Sequence, residues 1–206
     1  MTRRTITTDA GGRRERPPET AVVEATAAGE GESAGSARAN ARDLAATVRE
    51  TLAERVLSRD QIVTTELQVK DTTQAFDPDT DAPYRAVERL RIDCAPETAA
   101  EVVVLATDTG ATVPDVQFGL REGTRRRLED EAFGDAMDRA REKAERIAAA
   151  EGLAVGGVRE VTTQGGGMGM SSIVNDALAG NGDPELHPDP IVVSKGVEVV
   201  YELVEE

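Results

Sequence analysis

Between residues 19 and 120 the apolar residues switch repeatedly between a period of two and a helical period, and the order of the switches restricts the fold to very few arrangements. Residues 19–28 alternate, with Ala21, Val23, Ala25 and Ala27 on one face, the pattern of a half-buried strand. Residues 37–57 then carry Ala37, Ala41, Leu44, Ala45, Val48, Leu52 and Val56 as one helical stripe, with Arg38, Arg42, Arg49, Glu50 and Glu54 largely off it. Ser33 or Ser36 stands where a helix cap belongs. Residues 62–70 alternate again, with Val63, Thr65, Leu67 and Val69 on one face. Residues 84–94 follow as a long strand, Tyr84, Ala86, Leu90, Ile92 and Cys94 opposing Arg85, Arg89, Arg91 and Asp93. Pro96 suits the first position of a second helix, and Gly110 suits its C-terminal stop. Residues 113–120 form a further strand with Val116, Phe118 and Leu120 aligned.

The resulting order, β-α-β-β-α-β, is the split βαβ arrangement of ferredoxin-like folds: an antiparallel sheet with its helices on one face. The flanks add to it. Residues 4–9 read as a short strand, which Gly11–Gly12 and Pro17–Pro18 then break. A long helix is expected over residues 124–151, with Phe133, Ala136, Ala140, Ala144, Ile147 and Ala148 as a stripe of mostly small side chains. Strands follow at 153–164 and 191–203. Between them, residues 165–189 carry GGGMGM, NGDP and HPDP and read as a flexible insertion. The expectation is an α+β chain whose antiparallel or mixed sheet is built on the ferredoxin-like core. The long helix and the C-terminal strands would extend that sheet. Residues 1–18 form an N-terminal strand and linker, and residues 19–204 one domain.

Composition narrows the function. The core must be light, because 206 residues hold 3 Phe, 2 Tyr and no Trp. A net charge of −15 repels phosphate backbones and anionic membrane surfaces, so neither nucleic acid nor membrane is an expected partner. Lysine occurs only at positions 70, 143 and 195, and arginine supplies the other cations. Abundant acid, scarce lysine and much Ala and Val match a halophilic style, in which molar salt screens the self-repulsion. One cysteine excludes an internal disulfide and a multi-cysteine zinc site. The N-terminus lacks an apolar leader and no segment is long enough to span a bilayer, so the cytoplasm is the expected compartment.

Chemistry-bearing residues are sparse. Asp77, Asp79 and Asp81 have the alternating spacing of a calcium loop. Pro78 stiffens the run, however, and the sixth-position Gly and twelfth-position Glu of that template are missing, so a solvated hairpin loop competes with a metal site. Cys94 ends an apolar strand face, and the single histidine, His187, lies in the Gly/Pro-rich insertion; a buried, inert thiol is expected. GGGMGM lacks the Lys-Ser/Thr ending of a phosphate loop. Arg125–Arg126–Arg127 opens the long helix, where salt bridges to nearby acids, or a partner's acidic surface, would use the charge. No catalytic residue and no cofactor is expected, and the chain is read as a non-enzyme.

The ordered series of segments resembles the SIMPL-domain family. The residues that carry the resemblance are PETAVVEATAAGEGES, RANARDLAATVRETL and SRDQIVTTELQV in the first half. YRAVERLRIDC, TGATVPDVQFGL, AMDRAREKAERIAAAEGLAVGGVREVTTQGGG and PIVVSKGVEVVYELVEE continue it. The match covers about residues 4 to 204. Members usually carry a signal peptide or lipid anchor, neither of which is expected here, and the family offers no catalytic residues to carry over. A relative that assembles into a ring- or channel-like oligomer implies homo-oligomer formation. The terminal strand agrees, since Val197, Val199, Val200, Tyr201, Leu203 and Val204 place apolar groups on both faces. Two functions are therefore expected as alternatives: self-association or protein-protein interaction, and a ligand- or cation-binding module at loop 77–81 or in a groove beside the sheet.

Overall fold

The computed structural model describes residues 4–73, 80–164, 171–172 and 186–205. The chain divides into two compact units. One is continuous through residues 18–119 and also takes in residues 171–189; the other joins residues 1–17, 120–170 and 190–206.

The first unit is the expected ferredoxin-like core. Its strands are β2 (Thr20–Gly31), β3 (Ile62–Asp71), β4 (Tyr84–Cys94) and β5 (Thr112–Gly119), and its helices are α1 (Ala34–Arg55) and α2 (Ala99–Asp108). The sheet order is β3-β4-β2-β5, every neighbouring pair antiparallel. A two-residue strand, β7 (Ser171–Ser172), pairs on the outer side of β5. Ser33 caps α1 in a reciprocal box with Ser36, which satisfies backbone donors that a helix start leaves open. Pro96 begins a 3-10 turn, Pro96–Thr98, that leads into α2, and Gly110 takes a positive φ of 97° just beyond its end.

The core of this unit is light for a geometric reason. Ala21, Val23, Ala25 and Ala27 of β2 meet Ala37, Ala41, Ala45, Val48 and Leu52 of α1, all buried. At Gly29 a Cβ would lie 2.1 Å from the Ala41 nitrogen. Helix and strand backbones therefore approach more closely there than any side chain allows.

β3 departs from simple alternation. Its register against β4 shifts between Thr64 and Glu66, so a bulge at Thr65 interrupts the single face of Val63, Thr65, Leu67 and Val69 expected from the sequence. Val63 lies opposite Arg91, on the face away from the helices, whereas Leu67 and Val69 lie opposite the buried Glu88 and Ala86. A bulge adds one residue and so inverts the parity beyond it.

The second unit holds β1 (Thr5–Arg16), β6 (Leu153–Gln164), β8 (Ile191–Glu205) and α3 (Glu122–Ala150). Contrary to the expectation from sequence, the C-terminal strands do not extend the first sheet. They form a separate antiparallel sheet of order β1-β8-β6. β1 also runs through Gly11–Gly12 rather than stopping there, pairing with β8 from Thr5↔Glu202 to Arg16↔Ile191. Gly12 serves packing: a Cβ there would stand 1.8 Å from the Ala132 carbonyl oxygen of α3.

The stripe Ala136, Ala140 and Ala144 seats α3 on Val197, Val199 and Tyr201. Thr8, buried within β1, donates to the Ala140 carbonyl at 2.9 Å. Of the expected stripe, Phe133 is half-buried against this cluster and Ile147 is 46% exposed. Leu128 and Ala132 are buried in its place. No helix among the described residues is long and apolar enough to cross a membrane.

Candidate functional site

Asp77 and Asp79, and the GGGMGM run, lie outside the described residues. Asp81 is described, and it is exposed at the approach to β4. Among the described residues, no group of three or more His, Cys, Asp or Glu is placed to hold a metal ion.

Cys94 is buried at the end of β4, and burial pushes its thiol up to about 11. A thiol held protonated is a poor nucleophile. His187 is exposed before β8. The arginine run is engaged within its own helix. Arg125 and Arg126 pair with Glu122, the latter at 2.8 Å, and Arg127 reaches Glu131 at 3.6 Å. The odd Lys195 on the apolar face of β8 meets Glu129 of α3 at 3.5 Å.

One polar cluster escaped the sequence reading. Glu88 is 7% exposed on the helix-facing side of β4. Its carboxylate accepts from the Arg49 guanidinium of α1 at 2.6 Å and from the Thr64 hydroxyl of β3 at 2.9 Å. Arg49 also donates to Thr64. The signal was present, because Glu88 shares the parity of Ala86 and Leu90, and Arg49 directly follows Val48 of the buried stripe. Every member of the cluster has a partner within it, so it joins a helix to two strands and presents no group poised for chemistry.

The face of this sheet away from the helices carries a shallow depression of about 230 Å³ lined by Thr26, Gln68, Lys70, Arg85, Val87 and Arg89. That is below the roughly 300–1,000 Å³ of ordinary small-molecule sites. Glu66 pairs with Arg89, while Lys70 stands directly across from Arg85, two like charges in one cross-strand pair. A wider hollow of about 450 Å³ is lined by Glu142, Glu145, Arg146 and Ala149, all from α3, so among the described residues no second element converges on it.

The strand edges are the more distinctive surface. β3 is paired with β4 alone among the described residues, and Val63, Leu67 and Val69 are 50%, 42% and 39% exposed. β6 is likewise an edge, with Val158 47% and Val161 39% exposed. These two valines lie opposite the buried Tyr201 and Val199, on the face that α3 covers over β8.

Two antiparallel sheets, each with helices on one face and apolar residues on an edge strand, define an α+β protein of the ferredoxin-like class with an appended sheet. The sequence matches the family model SIMPL, a protein of unknown function (DUF541), over residues 6–201, and the chain belongs to this family. No curated protein matches the chain.

Proposed function

We propose that this protein is non-enzymatic and works by assembling with copies of itself. The observation that supports this reading is the exposed apolar content of its edge strands, Leu67 and Val69 on β3 and Val158 and Val161 on β6. An edge strand presents unpaired backbone donors and acceptors, and monomeric proteins blunt such edges or cover them. Here the apolar side chains beside the edges stay in water. Closed symmetry is the expected form for such an assembly, in keeping with the oligomer that the family resemblance implies. The single buried cysteine suits a reducing compartment, and we place the assembly in the cytoplasm. Size-exclusion chromatography with light scattering in molar salt tests the reading. A defined oligomer is expected, and a monomer over a wide concentration range overturns it.

A further inference from the structure

We propose that two copies of this chain join through β3, antiparallel about a two-fold axis at Gln68, so that the two five-stranded sheets continue into each other. The inference rests on the self-association reading and names the surface that performs it. In an antiparallel pair, residues directly opposite point to the same side. Only registers that match residues of one face are therefore open, and β3 beyond its bulge is regular from Glu66 to Asp71.

With the axis at Gln68, Glu66 faces Lys70 of the partner subunit, and Lys70 faces the partner's Glu66. Both contacts lie on the face away from the helices. On the other face, Leu67 meets the partner's Val69, and Val69 meets the partner's Leu67, which covers side chains that are 42% and 39% exposed in one chain. Neighbouring registers fail. An axis at Glu66 or Lys70 sets like charges against each other. An axis at Val69 puts Leu67 against Asp71 of the partner subunit, and an axis at Leu67 leaves Glu66 and Lys70 without opposite charges.

Within one chain Lys70 lies directly across from Arg85, and the partner's Glu66 meets Lys70 from its other side. Charges on an edge strand ordinarily discourage pairing. Here their order favours one arrangement, the strand with its own copy. β6 offers no comparable surface, since its register shifts twice around Val158 and Gly156–Gly157 lies beside the shifts.

Charge exchange on the full chain tests the proposal, at the lowest salt that keeps the protein folded. Glu66→Lys alone and Lys70→Glu alone each set two like-charge pairs across the axis, and each is expected to weaken the β3-mediated contact by roughly tenfold or more. The double variant Glu66→Lys/Lys70→Glu restores opposite pairs and is expected to restore the contact. Gln68→Cys places two thiols across the axis with Cα atoms about 4.5–5.5 Å apart, within disulfide reach, so mild oxidation is expected to give a covalent dimer. Val63→Cys, off the axis, is expected not to. An oligomer that persists in both single variants, with no cross-link at position 68, overturns the β3 contact while leaving self-association standing. A monomeric wild type overturns both.

Discussion

Replacing Gly12 by alanine tests whether close backbone approach holds α3 on its sheet. A Cβ there would lie 1.8 Å from the Ala132 carbonyl oxygen and 2.7 Å from the Ala132 carbonyl carbon. Both atoms are helix backbone and cannot rotate aside. To regain ordinary contact, α3 must lift by roughly 1.5 Å over β1, and a gap of even 0.5–1 Å forfeits a quarter to a half of each dispersion contact. The contacts at risk are those of Ala136, Ala140 and Ala144 with Val197, Val199 and Tyr201. Overpacking of this kind costs about 3 kcal/mol.

Gly11 supplies the control, because its added Cβ would meet only the Lys195 carbonyl oxygen at 3.8 Å, an ordinary contact. Gly11→Ala is expected to change stability by less than about 0.5 kcal/mol. Urea unfolding followed by far-ultraviolet circular dichroism in molar salt compares the two. Equal midpoints for the two variants would refute the reasoning.

Three further outcomes are expected. Arg49→Met strands the buried Glu88 carboxylate, which loses its 2.6 Å partner, and destabilises the protein by about 3 kcal/mol; chemical denaturation measures this, and a change within about 0.5 kcal/mol contradicts it. Burial raises the Cys94 thiol from 9.0 to about 11, so the folded state holds this proton over a range where the unfolded state releases it. Cys94 then contributes stability that is present below about pH 9 and declines toward pH 11; a Cys94→Ala variant whose stability falls equally between pH 8 and 10.5 would contradict this. At a net charge of −15, melting followed by circular dichroism should shift down as salt falls from 1 M to 0.1 M and the Debye length grows from about 3 Å to about 10 Å, and an unchanged melting temperature argues against salt adaptation.

The parts of the fold that were legible in the sequence are those that local periodicity encodes. The stripe from Ala37 to Leu52 and the alternations at Ala21–Ala27 and Ala86–Cys94 each bury one face of one element, and their order alone specifies the split βαβ unit. Pairing between distant segments leaves no such trace. Nothing in residues 4–16 announces β8 as their partner, and Gly11–Gly12 reads as a break because a glycine's packing role depends on a helix far along the chain. The bulge at Thr65 is a single-residue event, and period counting passes over it. Glu88 illustrates a different limit: it shares the parity of the buried face while its charge favours water, and only the position of Arg49 in space reconciles the two. Of the three aspartates of the expected metal loop, Asp81 alone falls within the described residues, and it is exposed.

The pairing of β1 with β8 also sets an order of events during synthesis. The segments of the ferredoxin-like core, β2 through β5, leave the ribosome consecutively and can pair with one another at once. The β1-β8-β6 sheet has β8 as its middle strand, so its first and third strands have nothing between them until residues 191–205 are made. β1 thus waits through the synthesis of every element from β2 to β6 with Ile6, Thr8 and Ala10 without the strand they pair with. Long-range closure of this kind is slow and leaves strand edges open to the wrong partner. A nascent chain arrested before residue 190 has no middle strand for this sheet.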